Sequence, residues 1–504
     1  MSEKIKLTII DKLYFVTFFL LLNILNAQHS FNSSSNPVER ILNESINQRK
    51  NISTIFPSFS QLDTTALNIF FSNKNFYNSG HTNIENNSEL IARQFLNSYF
   101  NYSMSLYSKF IYLKISPFSK HQSSTSTSDS IIDGTFSYLN DKSPKINIEQ
   151  NKMGLRQSTL ALHYKDIGFG VSNESMWIGP GFHSSLSMSN NSSGFKYYFM
   201  GTLRQKKINN IGLDIRYFIS ERKNSVQSFF HNSLSSSLTF YGLPTITLGF
   251  NRTYLSGGFP EIKWSMNDAS LLIVEPLFGN NKNASKLEIK YNEEPVYWDP
   301  WDQLLVGFVN LYFPLSKTHL YFELGTDDHR ANLSDLKAHW DHSIGYILGL
   351  KKFGIFSNDF VFIGLEIMSN KTTANTLKSD FFRGDSSAPN FYTDSQYLYS
   401  SFEGRRWAAH SGSDSDDKII MIGFINDIQS ILISYNYERR GVVTKNYPEK
   451  KSEIILRLRK SFKNIALSCY FENERIYNYN FLKNTNAKKS NVIGIGFDYY
   501  FNNY

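Results

Sequence analysis

Alternation of apolar and polar side chains, one residue at a time, constrains the fold of this 504-residue chain more than any other feature. The apolar rows of the clearest segments are Leu160, Leu162 and Tyr164; Ile167, Phe169 and Val171; Leu320, Phe322 and Leu324; Ile431, Ile433 and Tyr435; Ile454, Leu456 and Leu458; Ile493, Ile495 and Phe497. Successive side chains of a β-strand point to opposite faces, so this period of two predicts strands with one apolar face. A tight turn at Lys165-Asp166 joins the first two segments as an antiparallel hairpin.

The polar rows of these segments carry charges suited to a water-filled interior. They contain Glu323, Glu438, Arg457, Arg459, Glu472 and Asp498. Aromatic residues make up 15 % of the chain, with 42 Phe and 30 Tyr. Many alternating segments in an aromatic-rich chain are typical of a transmembrane β-barrel, which is apolar toward lipid and polar inside. We therefore predict an all-β, antiparallel transmembrane β-barrel; a soluble secreted β-sandwich or propeller is the alternative.

The N-terminus predicts a secretory signal peptide at residues 1–27. Lys4, Lys6 and Lys12 form a basic start, and the apolar stretch from Leu13 to Leu25 is too short to span a bilayer as a helix. The single cysteine, Cys469, allows no intramolecular disulfide. Residues 28–100 are expected to form a linker and a short helical segment, and residues 101–504 the barrel.

Three short helices are predicted between the signal peptide and the barrel. Asn36 can cap the first, with Pro37 at its first position. Asp63 to Phe71 is the second, and Ser88 caps a third that runs through Leu96. Their narrow apolar faces indicate that each packs against another part of the protein.

A Gly-Pro-Gly turn beside a tryptophan follows the first hairpin. Trp177 precedes Gly179, Pro180 and Gly181, which must break the strand, and a Ser/Asn-rich run follows. Aromatic faces stack on sugars, and Ser and Asn side chains both donate and accept hydrogen bonds. This combination favours sugar recognition; a turn that only packs its Trp is the alternative.

The same residues resemble the capsule assembly Wzi family of outer-membrane barrels. Its members carry Trp-Trp-Gly-Pro-Gly followed by Ser-Leu-x-Leu-Ser-x-Asn-Ala, and residues 177–181 and 185–192 follow that pattern, with Ile178 in place of the second Trp and Ser192 near the usual Ala. Residues 302–328 resemble a second block of the family. Residues 402–414 resemble its Gly-x-Arg-x-x-Gly-His-x-x-Gly-x-Asp block, with Ala409 in place of the Gly before the His.

The resemblance implies about eighteen strands, a helical plug at the periplasmic mouth and a lectin-like role in capsule assembly. Motif matching gives the candidate sugar contacts as Trp177, Ser184, Ser185, Asn190, Asn191, Arg405 and His410; Gly179, Pro180 and Gly181 are expected to shape the loop. The expected location is the outer membrane of a Gram-negative bacterium. The expected partners are capsular or extracellular polysaccharide, outer-membrane lipid and lipopolysaccharide, and the polysaccharide export machinery.

Other functions have weaker support in the sequence. A passive porin would also have a polar lumen, and it stays open as an alternative. Asp327, Asp328 and His329 combine carboxylates with an imidazole, as a hydrolase requires, but neighbouring strand residues point to opposite faces. The acidic residues Asp414, Asp416 and Asp417 do not match an EF-hand, so no metal or other cofactor is expected.

The net charge of +8 suits anionic lipid or acidic polysaccharide. The sequence lacks the concentrated basic stripe of a nucleic-acid binder. We therefore expect a non-enzymatic, monomeric polysaccharide-binding barrel without a nucleic-acid partner.

Overall fold

The computed structural model describes residues 66–88, 90–123, 136, 151–223, 228–257, 289–291, 294–296, 301–327, 343–355, 358–372, 391–393, 397, 400–426, 428–484 and 486–501. The predicted signal peptide and the predicted helix after Asn36 lie outside these residues.

Almost every described segment is a β-strand. In chain order the strands are β1 (Ala66–Asn78), β2 (Phe95–Tyr107), β3 (Ile111–Ile115), β4 (Pro117–Gln122), β5 (Asn151–Leu155), β6 (Thr159–Tyr164), β7 (Ile167–Ser172), β8 (Tyr197–Thr202), β9 (Lys206–Ile208), β10 (Ile211–Lys223), β11 (Ser228–Phe240), β12 (Thr245–Gly257), β13 (Ile289–Tyr291), β14 (Glu294–Val296), β15 (Trp301–Phe313), β16 (Thr318–Asp327), β17 (Ile344–Ile355), β18 (Asn358–Ser369), β19 (Ser401–Phe402), β20 (Arg405–Arg406), β21 (Ser415–Ile425), β22 (Gln429–Arg440), β23 (Glu449–Phe462), β24 (Ile465–Tyr477) and β25 (Lys488–Tyr500).

The main sheet closes on itself as a barrel. It contains 21 of the described strands, and its pairings are antiparallel. The pairs β3/β4, β5/β6 and β8/β9 are each one strand with a short interruption, so eighteen strands encircle the lumen. β1 pairs with β25 from Phe70↔Tyr500 to Asn78↔Val492. This closing pair removes the free edges, and the predicted all-β barrel with eighteen strands is confirmed.

The two ends of the barrel have connections of different length. At one end, turns of two to four residues join β6 to β7, β15 to β16 and β23 to β24, and Ala66 and Tyr500 also lie there. At the other end, the connections from β1 to β2 and from β18 to β21 are long. Bacterial outer-membrane barrels have short periplasmic turns and longer extracellular loops. We refer to the short-turn end and the long-loop end.

The predicted faces of the strands are confirmed. Leu160, Leu162 and Phe169 are exposed on the outside of the barrel, whereas Thr159 and Ala161 are buried. The connecting residues Lys165 and Asp166 have φ of 49° and 63°, as a tight hairpin turn requires. The predicted inward row is also correct: Glu323, Glu438, Glu472 and Asp498 are buried, and Arg457 and Arg459 are half-buried.

Two of the predicted N-terminal helices are wrong. Most of the segment from Asp63 to Phe71 belongs to β1, and residues 90–94 form no helix before β2 begins at Phe95. Pairing of β1 with both β2 and β25 satisfies its backbone on two sides, which outweighs weak local helix propensity. The predicted boundary at residue 100 accordingly falls within β2. In the described ranges, no helix has the length and apolar character needed to cross a membrane.

Candidate functional site

Three segments leave the barrel wall and fill the lumen. They are residues 79–94 between β1 and β2, residues 173–196 between β7 and β8, and residues 400–414 before β21; together we call them the lumen plug. Most of their described residues are buried. Backbone hydrogen bonds join the segments, from Ser88 N to the Asn190 carbonyl at 2.7 Å and from Ser189 N to the Trp407 carbonyl at 2.6 Å. The plug is therefore one folded unit.

The Gly-Pro-Gly sequence lets the plug backbone pass close to the wall. Gly179 has φ of 119°, and a Cβ atom there would lie 2.3 Å from Oε1 of Glu323 on β16. A Cβ atom on Gly181 would lie 2.2 Å from the Ser184 carbonyl oxygen. The Pro180 carbonyl accepts a hydrogen bond from Lys351 Nζ at 3.1 Å. Side chains at the two glycine positions would displace this segment.

Glu366 on β18 is one of two inward carboxylates that hold the plug by its backbone. Its Oε2 accepts hydrogen bonds from Phe182 N at 2.8 Å and His183 N at 3.3 Å, and its Oε1 accepts one from Ser184 N at 2.6 Å. Glu323 accepts from Leu186 N at 3.2 Å and Gly181 N at 3.4 Å. A non-strand segment inside a barrel has many N–H groups without ladder partners, and these carboxylates satisfy five of them.

All seven candidate sugar contacts lie in the plug. Their exposed fractions are 0 % to 5 % for Trp177, Ser184, Ser185, Asn190, Asn191, Arg405 and His410. Asn191 Nδ2 donates to the Arg406 carbonyl at 3.0 Å, and Arg405 Nη1 donates to the Asn191 carbonyl at 3.3 Å. These side chains thus hold segments of the plug together, and their direct contact with sugar stays a prediction.

A buried charge network at the long-loop end was not predicted from the sequence. Glu85 of the plug pairs with Lys451 and, at 3.2 Å, with Arg440 on the wall. Lys451 also lies 3.3 Å from Glu438, and His410 Nε2 lies 3.1 Å from Glu85 Oε2. Alternation predicted that Glu438 faces the lumen. Glu85 carried no signal in the sequence, and His410 was predicted only as a sugar contact, so their ion pairs with the wall could not be foreseen.

His410 is charged within this network. Burial opposes its charged form, but Glu85 and Asp417 outweigh burial and raise the pKa of His410 to about 9. Asp417 Oδ2 lies 3.1 Å from His410 Nε2 and 3.0 Å from His183 Nε2. The imidazolium therefore joins plug to wall through ion pairs.

Within the part of the chain that the structure describes, three groups of side chains bring ligand-type atoms within 4.8 Å of one another: His183, His410 and Asp417; Glu85, His410 and Glu438; Glu453, Glu472 and Glu474. A protonated imidazole offers no lone pair, so ion pairing fits the first two groups better than a metal does. The acidic residues 414, 416 and 417 do not converge. Asp414 accepts from Thr444 N at 2.8 Å, whereas Asp416 pairs with Arg439 Nε at 2.9 Å.

The residues considered for hydrolysis have structural partners where they are described. Asp327 is buried and accepts a hydrogen bond from Tyr392 N at 2.6 Å. Asp328 and His329 lie outside the described residues. His410, Ser411 and Asp414 are also of the residue types found in a nucleophilic triad. Ser411 contacts Ser415 Oγ at 2.9 Å and Asp414 accepts from Thr444 N at 2.8 Å, so they do not form one.

No protein-family profile matches the sequence, and no curated protein matches it. Among solved structures, the fold is similar to that of Wzi from Escherichia coli, described as an outer membrane protein involved in Group 1 capsule assembly and a carbohydrate-binding β-barrel. The sequence identity is 12 % and the TM-score 0.56, over 93 % of this chain and 89 % of that one. OccK5 (OpdH) of Pseudomonas aeruginosa aligns with 12 % identity and a TM-score of 0.40, over 86 % of this chain and 98 % of that one. OccAB3 of Acinetobacter baumannii aligns with 9 % identity and a TM-score of 0.42, over 86 % and 99 %. The predicted resemblance to Wzi is confirmed for the fold.

Proposed function

We propose that this protein is a non-enzymatic outer-membrane barrel that binds exported capsular or extracellular polysaccharide and helps to assemble or anchor it at the cell surface. The observation that carries the proposal is the lumen plug, which is anchored to the wall by Glu323, Glu366 and the buried charge network. A barrel filled by a folded unit is suited to holding a ligand at its mouth. The similarity in fold to a capsule-assembly barrel supports the same conclusion.

The outer surface supports placement in a membrane. Large apolar side chains such as Leu162, Phe169, Ile433 and Ile495 are exposed around the barrel, and hydrocarbon would cover them. Outer-membrane lipid and lipopolysaccharide are then the immediate neighbours of the barrel. Polysaccharide export machinery is the proposed source of the ligand.

Polysaccharide affinity would arise from many weak contacts repeated along a polymer. The seven candidate residues would take part in one of two ways. They would contact sugar if the polymer enters the plug, or they would hold the loops at the long-loop end in a binding arrangement. Both roles require the plug to stay folded.

Direct binding tests the proposal. Detergent-folded protein is incubated with surface polysaccharide purified from the producing cells, and wild type is compared with Trp177→Ala and with Asn190→Ala/Asn191→Ala. Weaker binding is expected in both variants, with persistence of the heat-modifiable gel migration of a folded barrel. Asn358→Ala, at the exposed short-turn end, is the matched control and should bind normally. Absence of binding by folded wild-type protein would refute the proposal.

Conductance separates this function from a passive porin. In planar bilayers, the plugged wild-type barrel should show little steady current, because the plug occupies the lumen. Large, stable open-channel currents from wild type would favour the porin alternative. Hydrolysis is tested with an Asp328→Ala/His329→Ala double variant. Polysaccharide binding, and any cleavage products of the polysaccharide, should be the same as with wild type.

A further inference from the structure

Two neighbouring loops at the long-loop end form a connected surface. They are residues 441–448, between β22 and β23, and residues 478–487, between β24 and β25. Asn478 Nδ2 donates to the Pro448 carbonyl at 3.0 Å, and Asn480 N donates to Glu449 Oε2 at 2.9 Å. These bonds fix one loop against the other. We call residues 441–448, 478–484 and 486–488 the loop platform.

Lysines lie beside aromatic rings on the loop platform. Lys488 Nζ lies 3.8 Å from the ring centroid of Tyr479, and Lys445 Nζ lies 5.4 Å from that of Phe481. Lys483 Nζ lies 6.0 Å from the ring of Tyr447, which is 42 % exposed. Rings that are part exposed beside ammonium groups offer both a stacking face and a positive charge.

The sequence of the loop platform is basic. The sequence places one acidic residue, Glu449, between 441 and 450, and none between 475 and 489. Glu449 is buried, and it lies 3.3 Å from Arg440 inside the barrel. No ion pair links Lys445 or Lys483 to another described residue. Lys445 Nζ also lies 5.1 Å from the ring centroid of Phe136. The platform therefore presents positive charge to any molecule that approaches the long-loop end.

The backbone of the loop platform is held in an uncommon conformation. Asn478, Asn480 and Phe481 have φ of 53°, 59° and 58°. The left-handed region is rare for a bulky aromatic residue. Such strain persists where surrounding contacts impose it, and it concentrates at binding sites. Here the bond from Asn480 N to Glu449 Oε2 holds this backbone against β23, so the loop is positioned before a ligand arrives.

We propose that the loop platform binds an acidic polysaccharide, in which uronate carboxylates pair with the lysines and sugar rings stack on Tyr447 and Tyr479. This proposal rests on the proposed function and adds the chemical class of the ligand and its site. Contact between one exposed lysine and one carboxylate is weak. A polymer repeats the contact along its length, and the affinity then rises through multivalency.

Two double variants with the same change in charge test the proposal. Lys445→Gln/Lys483→Gln removes two charges from the loop platform. Arg475→Gln/Lys489→Gln removes two from an exposed pair that faces outward at the same rim, where lipid headgroups would lie. The substituted side chains are exposed, apart from Lys445, which is half-exposed. Both variants are therefore expected to fold. Heat-modifiable gel migration verifies folding of each.

The probes are polygalacturonate, neutral dextran, the surface polysaccharide of the producing cells and purified lipopolysaccharide. Wild type should bind polygalacturonate and not dextran, and the affinity should fall with added salt because exposed charges are screened. The platform variant should bind polygalacturonate about tenfold more weakly, and the rim variant less than twofold more weakly. Tyr447→Ala should also weaken binding without changing its salt dependence.

Several results would overturn the proposal. Equal losses in the two double variants would mean that general charge, and not the platform, attracts the polymer. Loss of lipopolysaccharide binding alone in the platform variant would assign the lysines to lipid headgroups. Binding of the cells' own polysaccharide with unchanged affinity in the platform variant would refute the platform and leave the proposed function standing. Failure of wild type to bind any polysaccharide would refute the proposed function itself.

Discussion

Replacement of Glu366 by Gln should loosen the lumen plug while leaving the barrel closed. Glu366 is 2 % exposed. Its two oxygens accept the backbone N–H groups of Phe182, His183 and Ser184, and also the Tyr321 hydroxyl at 2.5 Å. Glutamine has nearly the same shape but offers one acceptor oxygen and a donor NH₂ group. At least one plug N–H must therefore lose its acceptor.

The size of the effect follows from the bond that is lost. If the amide oxygen takes the place of Oε2, the hydrogen bond from Ser184 N, at 2.6 Å, is broken. A hydrogen bond to a charged group contributes about 1.5–3 kcal/mol, and a buried donor without an acceptor costs about 1–3 kcal/mol. We expect a net loss of about 3 kcal/mol for local opening, which corresponds to roughly a hundredfold larger population of the open plug.

Hydrogen exchange measures this opening directly. In folded, detergent-solubilised protein, amides in a peptide covering residues 180–186 should exchange roughly a hundredfold faster in Glu366→Gln, because local opening exposes them. Amides in the β1–β25 pair should be unaffected. Planar-bilayer recordings should show brief openings that wild type lacks.

A substitution on the same strand provides the control. Asp359 lies at the short-turn end of β18, and its exposed side chain pairs with Lys317 at 2.8 Å. Asp359→Asn removes the same charge without touching the plug, so exchange at residues 180–186 should not change. Unchanged exchange in a correctly folded Glu366→Gln protein would refute the argument that this carboxylate anchors the plug.

Two further outcomes test the local structure of the plug. Gly179→Ala should destabilise the plug by about 1–3 kcal/mol, because φ is 119° there and the methyl group would collide with Glu323. The control is Gly307→Ala, whose methyl group meets no atom within 4 Å. It should have a smaller effect in the same hydrogen-exchange assay. Burial opposes the charged form of Glu403, but Arg156 and Lys152 outweigh it and lower its pKa to about 2. A carboxyl with a depressed pKa stabilises the fold fully above its unfolded pKa, near 4.3, and progressively less as the pH falls toward 2. Thermal unfolding followed at pH 6, 4 and 3 should therefore show a smaller acid loss in Glu403→Gln than in wild type, and equal losses would contradict this role.

The barrel wall was predictable because its signal is local. Alternation identifies which row of a strand faces lipid, and the charged row at Glu323, Glu438 and Glu472 could be assigned to the interior before any pairing was known. A strand with one buried face tolerates no slip of one residue, since a slip would exchange its two faces. The sequence pattern therefore determines the orientation of each strand.

The plug was not predictable from the same patterns, because long-range contacts determine it. Segment 173–196 has no periodicity, and its backbone is held by Glu323 and Glu366, more than a hundred residues away. Polar residues in such a run are equally compatible with an exposed sugar site and with a buried hydrogen-bonded interior. The strand β1 was missed for a related reason, since one of its two partners, β25, lies more than four hundred residues away in the sequence.

The pairing of β1 with β25 has a consequence for how the chain is made. The two strands are joined by nine residue pairs from Phe70↔Tyr500 to Asn78↔Val492, and they come from opposite ends of the sequence. β1 is synthesised long before β25, so one edge of β1 stays unpaired until β25 is present and the barrel can close. Contacts of such long sequence separation form slowly, and an open strand edge invites aggregation. Without residues 488–500 the described wall would keep its remaining strands but could not close, so closure of the barrel depends on this one thirteen-residue strand.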